Sequence, residues 1–200
     1  MDALQIYVHP TAVVETAEIG TGTKIWHFSH VLAGARIGKN CVLGQNVTVA
    51  AKAIVGDYCK IQNNVSLYDG VVLEDYVFCG PSCVFTNILT PRCEVPRRNK
   101  FISTRVCYGT SIGANATIVC GVTLARFTMV AAGAVVTKDS KPYSLLVGVP
   151  ARHSGWAGRH GLRLRQTENG SWQCPESGWL YREEAGNLTC LSHPDDSPIS

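Results

Sequence analysis

The sequence predicts an all-β chain wound as a parallel β-helix of hexapeptide repeats, with an inserted loop and a small C-terminal β-meander. Three observations carry this. Apolar residues recur every six positions as Val13, Ile19, Ile25, Val31, Ile37, Leu43, Val49, Val55, Ile61, Leu67, Leu73, Cys79 and Phe85. With half of all residues apolar, a run this long arises by chance about once in ten thousand sequences. Four residues after each station the side chain is small or β-branched, from Ala17 and Thr23 through Cys41, Cys59 and Cys83. A glycine often follows the station, as in Ile19-Gly20, Ile37-Gly38, Leu43-Gly44 and Val55-Gly56. A helix repeats near 3.6 and a half-buried strand at two, so neither explains a period of six. A turn residue in every unit marks a β-helix of hexapeptides. Three hexapeptides close one triangular coil, and coils stack at strand spacing, about 4.8 Å.

Taken in order, residues 1–12 are expected to cap the first coil, because a coil's open end is an unpaired edge. Residues 13–85 make a little over four coils, with columns such as Val13, Val31, Val49, Leu67 and Phe85 pointing inward. No coil buries its own inner face, so stability comes mostly from stacking on neighbours. The register then breaks over residues 86–105 and returns as Val106, Ile112, Ile118, Leu124, Val130 and Val136. Phe85 to Val106 is one hexapeptide plus about fifteen residues, which must loop out. The loop holds Arg92, Arg97, Arg98, Lys100 and Arg105 against Glu94, which makes it the positive spot of a chain whose net charge is +3. Residues 106–141 add two coils, and an apolar strand from Ser144 runs into Pro150. The β-helix domain is therefore placed at 1–156 and a small β extension at 157–200. Within the extension, Cys174-Pro175-Glu176-Ser177-Gly178-Trp179 and Glu184-Ala185-Gly186-Asn187 read as hairpin turns.

Composition narrows the function classes. A charge of +3 is too small to argue for nucleic acid, and no basic amphipathic helix suggests a membrane surface. The opening residues lack a charged n-region and an apolar h-region, so no signal peptide is expected. The nine cysteines are an odd number, and Cys41, Cys59, Cys79 and Cys83 fall on core-facing positions. This reads as a reducing, cytoplasmic compartment rather than a disulfide scaffold. Cys174, Cys190 and His193 lack any paired Cys-x-x-Cys spacing, so no metal is expected.

An 18-residue coil turns the sequence into a surface map. His27, Gln45 and Asn63 share one column; Phe28, Asn46, Asn64 and Ser82 the next; His30, Thr48 and Ser66 a third; Asp69 lies below Asn87. One band is thus lined by amides, hydroxyls and imidazoles, donors and acceptors suited to hydroxyls, amides and a uracil ring. Amide ladders can equally serve only the backbone at the corners.

The runs Ile25-Trp26-His27-Phe28-Ser29-His30-Val31, Leu43-Gly44-Gln45-Asn46-Val47, Gln62-Asn63-Asn64-Val65-Ser66-Leu67-Tyr68-Asp69, Val84-Phe85-Thr86-Asn87 and Gly148-Val149-Pro150-Ala151-Arg152 resemble the left-handed β-helix sugar N-acetyltransferases. The likeness is greatest to those acting on the 3-amino group of UDP-2-acetamido-3-amino-2,3-dideoxy-glucuronate, in surface polysaccharide (O-antigen) biosynthesis. It implies a left-handed coil, a homotrimer with active sites between subunits, and acetyl-CoA as co-substrate. By the same likeness Asn87 would bond near the attacking amine. His27, His30, Gln45, Asn46, Asn63, Asn64, Ser66, Tyr68 and Asp69 would hold the UDP-sugar. Arg92, Arg98 and Lys100 would answer its diphosphate or carboxylate. Ala132-Gly133, Lys138 and Arg152 would meet the pantetheine and phosphates of CoA, as cations near phosphate do.

A sugar amine titrates nearer the α-amino range, about 7.7–8.0, than the lysine range, so much of it is neutral and nucleophilic at cellular pH. Related enzymes acting on hydroxyls use a histidine base in their middle coils, but this chain has no histidine between His30 and His153. Either His27 or His30 of a neighbouring subunit reaches the site, or the amine attacks directly. The same histidine gap leaves no metal triad for a γ-type carbonic anhydrase. A non-catalytic trimeric scaffold is the other alternative, and it would bind no acetyl-CoA.

Overall fold

The computed structural model describes residues 5–97 and 100–199, so the expected site residue Arg98 lies outside the described residues. The chain is a three-faced parallel β-helix carrying a four-stranded antiparallel sheet at its C-terminal end. The first face stacks Tyr7–Val8, Lys24–Ile25, Val42–Leu43, Lys60–Ile61, Phe78–Cys79, Ser111–Ile112, Met129–Val130 and Ser144–Val147. The second stacks Val13–Val14, His30–Val31, Thr48–Val49, Ser66–Leu67, Val84–Phe85, Thr117–Ile118 and Val135–Val136. The third stacks Arg36–Ile37, Ile54–Val55, Val71–Leu73, Thr104–Val106 and Thr123–Leu124. We number the corners after the face that precedes them.

In most rungs the first strand residue faces out and the second faces in. Val31 pairs with Val49 and Val49 with Leu67, one 18-residue coil apart. These inward residues are fully buried, as are Ile25, Leu43, Ile61 and Ile118. Burying one such side chain contributes about 1.5–3 kcal/mol, and the contribution belongs to the stack rather than to any coil.

The small residue four places after each station closes the corner from within. Thr23 Oγ1 donates to Gly38 O at 2.8 Å and Ser29 Oγ to Gly44 O at 2.9 Å. Cys41 and Cys59 do the same through sulfur, to Gly56 O at 3.0 Å and Glu74 O at 3.1 Å. These thiols are buried hydrogen-bond donors, and contact with Cys41 together with burial pushes the Cys59 thiol far above its ordinary range.

At the outer edge the chain turns through left-handed residues. Phe28, Asn46, Asn64, Ser82 and Asn115 do so at the first corner, and Asn40, Tyr58, Tyr76, Phe127 and Tyr143 at the third. Asparagine tolerates this region because its short amide bonds locally; the aromatic residues adopt it because each corner copies the one below.

The first coil departs from the expected register. Val14, not Val13, pairs with Val31, and Val8 pairs with Ile25, so this coil is one residue short. Val13 is 53% exposed. Residues 7 and 8 form a rung of the helix instead of a separate cap. The missing residue lies between Val14 and Ile19, where a five-residue step replaces six.

The insertion leaves and rejoins at the second corner. Ile102 N–H donates to Asn87 O at 3.0 Å and Thr104 N–H to Gly70 O at 3.1 Å, which ties both ends of the loop to the prism. Arg105 is not free charge: Nε donates to Glu74 Oε1 at 2.8 Å.

At the top, Arg152–Trp156 folds back antiparallel on Ser144–Val147. The chain then forms Arg165–Gln166, Trp172–Gln173, Leu180–Glu184 and Asn187–Cys190, with hairpin turns at both expected places. An aromatic column climbs the third corner into this sheet. Tyr58 stacks on Tyr76 at 4.8 Å, and the column continues through Tyr108, Phe127 and Tyr143 to Tyr181.

Candidate active site

The structure distributes the expected site residues along both edges of the second face. At its first corner, His27, Gln45 and Asn63 are stacked as the 18-residue map requires: Asn46 N–H donates to His27 O and Asn64 N–H to Gln45 O, both at 2.9 Å. The Asn63 carboxamide accepts Gln45 N–H at 2.9 Å, and Asn46 Nδ2 donates to Asn64 Oδ1 at 3.1 Å. These amides therefore build the corner. Asp69 likewise accepts Lys52 N–H at 3.0 Å on the second corner. Trp26, His27, Gln45, Gln62 and Asn63 line a groove of about 350 Å³ that opens onto the first face. Three coils up in the same corner sits Ala132-Gly133, where a side chain on Gly133 would meet nothing within 4 Å.

His30 and Ser66 point outward from the second face itself. His30 Nε2 lies 3.1 Å from Glu15, and that hydrogen bond, with Ala33 N–H, holds the Glu15 carboxyl below its ordinary range. Tyr68 follows on the same face and is 42% exposed.

The second corner carries Asn87, where the insertion departs. Its neighbour Thr86 accepts Cys120 N–H through Oγ1 at 2.9 Å, so a side chain steadies the backbone where the regular ladder is interrupted. Arg92 and Lys100 are exposed on the loop. Arg92, Cys93, Val95, Arg97 and Phe101 wrap a hollow of about 400 Å³. Asn87 and the amide columns thus stand on opposite edges of one face and do not meet within one chain.

Lys138 and Arg152 meet in a third cleft, of about 470 Å³, between the top of the prism and the C-terminal sheet. Lys141, His153, Trp156 and Glu183 line it too, and the sequence reading missed them. Their signal was composition alone, since the fold-back after Pro150 has no period. Burial lowers the His153 imidazole below its ordinary range, and Lys141 adds to this against the opposing pull of Glu183. Glu183 accepts both indole N–H groups, Trp156 at 3.0 Å and Trp172 at 2.9 Å, which fixes the cleft wall. Lys138, Lys141 and Arg152 make this an anion-binding shape. Among the described residues there is no cluster of metal-ligating side chains.

The bacterial transferase hexapeptide model (six repeats) matches residues 16–51, and the hexapeptide repeat of succinyl-transferase matches residues 34–69 and 109–138. A dTDP-3-amino-3,6-dideoxy-alpha-D-galactopyranose 3-N-acetyltransferase from Aneurinibacillus thermoaerophilus is 42% identical over 164 residues, 82% of this chain and 84% of its own. Among solved structures, a hexapeptide-repeat acetyltransferase from Vibrio cholerae complexed with acetyl coenzyme A is 25% identical, with a TM-score of 0.51. That alignment covers 62% of this chain and 70% of that one. The acetyltransferase domain of PglB from Neisseria gonorrhoeae shares the fold at a TM-score of 0.55 and 20% identity, over 76% of this chain and 58% of that one. The chain belongs to the hexapeptide-repeat β-helix sugar N-acetyltransferases, enzymes that take their acyl group from acetyl-CoA.

Proposed function

We propose that this protein acetylates the 3-amino group of a dTDP-linked 3-amino-3,6-dideoxyhexose, in a trimer whose active sites lie between neighbouring chains. One observation supports the shared site most directly. Above Glu15 the outward residues of the second face are uncharged (Thr48, Ser66, Val84, Thr117 and Val135), whereas the first face carries Lys24 and Lys60 and the third Arg36 and Arg105. Val84 is 47% exposed there. A cyclic trimer joins two different patches of each chain. With the first corner toward the axis, the second face of one chain meets the first face of the next. Asn87 and its loop then lie over the neighbour's first face, which brings the two separated edges together.

The substrate class comes from the 42% identical relative. The amine attacks the thioester carbonyl, a C–N bond forms as the C–S bond breaks, and the departing thiolate takes the amine proton. Asn87 orients the amine, and the cationic upper cleft holds CoA phosphates through Lys138 and Arg152. The exposed loop cations favour a second acceptor, the UDP-linked 3-amino uronate, whose carboxylate Arg92 or Lys100 would meet. A thiol-release assay with acetyl-CoA against dTDP- and UDP-linked 3-amino and 4-amino sugars tests the proposal. Fastest turnover on the dTDP-linked 3-amino-3,6-dideoxyhexose supports it; preference for the uronate selects the second reading, and no turnover on any 3-amino sugar overturns both.

A further inference from the structure

The C-terminal extension overhangs the upper first face and encloses a hollow of about 490 Å³, separate from the grooves above. Its floor is formed by Phe78, Ser111 and Met129, outward side chains of three successive rungs. Phe127 closes one side, and the turn from Gly158 to Gly161 forms the roof, held by Gly161 N–H to Gly158 O at 2.8 Å. His160 stands in that roof, edge-on to Trp179 at 4.8 Å. Its Nδ1 is buried without a hydrogen-bond partner among the described residues. Leaving such an atom unpaired costs about 1–3 kcal/mol, which a bound polar ring would recover.

The hollow is not an anion site. Arg159 lies beside it, but its guanidinium covers the Phe127 ring at 4.5 Å and donates to Pro194 O at 2.7 Å and Ser197 O at 2.6 Å. What remains is two aromatic walls, a thioether, one hydroxyl and one unpaired imidazole nitrogen. That set suits a flat, uncharged, hydrogen-bonding ring. Lys60 pairs directly below Phe78 on the same face, between this hollow and the groove holding Gln45 and Asn63.

We infer that this hollow is the base pocket of the acceptor nucleotide: the pyrimidine lies between Phe78 and the His160 turn, the diphosphate passes Lys60, and the sugar reaches the amide-lined groove. The inference rests on the nucleotide-sugar reading above and deepens it. It gives the C-terminal extension a role in binding, and it separates the acceptor's base from the adenine of CoA, whose phosphates belong to the Lys138–Arg152 cleft.

Calorimetric titration of the full-length protein with dTDP, UDP and CoA tests this. His160→Phe keeps the ring against Trp179 and removes the nitrogen; Ser111→Phe fills the floor. In His160→Phe the better-bound pyrimidine diphosphate should weaken about tenfold while the melting temperature of the free protein does not fall. In Ser111→Phe its binding should be lost, with CoA affinity unchanged in both variants. Pyrimidine binding within twofold of wild type in both variants overturns the inference, as does loss of CoA binding with the pyrimidine retained. Should His160→Phe not fold, Ser111→Phe decides. Absence of acetyl transfer by the wild type would sink the functional reading instead, and the titrations report on the pocket either way.

Discussion

Replacing Asn87 by alanine separates chemistry from folding more cleanly than any other change in the site. The backbone at this point is fixed by its own main-chain bonds: Asn87 O accepts Ile102 N–H at 3.0 Å, and Thr86 Oγ1 accepts Cys120 N–H at 2.9 Å. Both survive truncation of the Asn87 amide. Asn87 is only half-buried, so stability should change by less than about 0.5 kcal/mol. The amide's partner is an amine that gains positive charge as it attacks, and a hydrogen bond to a charged group contributes about 1.5–3 kcal/mol. At 1.4 kcal/mol per tenfold, kcat/KM should fall about 10- to 100-fold. Thiol release from acetyl-CoA at saturating and limiting acceptor gives kcat and kcat/KM, and a melting curve on the same sample gives stability. A variant that melts like wild type and keeps kcat/KM within threefold removes Asn87 from the mechanism. A large loss of melting temperature would show instead that the loop junction depends on the amide.

Three further changes probe the scaffold that presents the site. In Gly44→Ala the new Cβ would lie 2.9 Å from Asn63 N, so the corner must shift; about 1–3 kcal/mol of stability and some acceptor affinity should be lost, and unchanged melting would refute this. Burial works to raise the Glu74 carboxyl, but Tyr108 N–H and Arg105 outweigh it and hold it below its ordinary range. A depressed carboxyl adds stability above its unfolded value and loses it as pH falls through the native one. Glu74→Gln should therefore melt about 2–4 °C lower at pH 7, for about 1 kcal/mol at a part-exposed pair, and match wild type at pH below about 4. Tyr143 is fully buried and donates to Asp195, which with burial pushes its phenol well above the ordinary range. Tyr143→Phe should cost about 1–2 kcal/mol and speed hydrogen exchange over residues 193–199; exchange equal to wild type would show the tail is held by other contacts.

The repeat was legible because each rung obeys the same local rule. Ile25, Leu43 and Ile61 are inward because every sixth side chain must be, and the sequence states this directly. The same rule placed His27, Gln45 and Asn63 in one column. It failed where the period changes without an apolar gap to mark it: the short first coil put Val13 inward in the sequence reading, while pairing chose Val14. Arg105 was counted among the loop's free cations because Glu74 stands thirty-one residues earlier, a separation no motif connects. The aromatic column was readable in part, from Tyr58 and Tyr76 one coil apart, but the insertion hid its continuation to Tyr108 and Phe127.

By itself the sequence determined the coil, its core columns, the place and length of the insertion, the two hairpin turns and the family, because all of these repeat or are local. Only the tertiary structure decided which polar residues share an edge, which cations are already paired, and that the C-terminal sheet leans over the first face to enclose His160. Those facts depend on where the chain returns after an insertion or a fold-back, and aperiodic segments carry no register from which a contact can be counted.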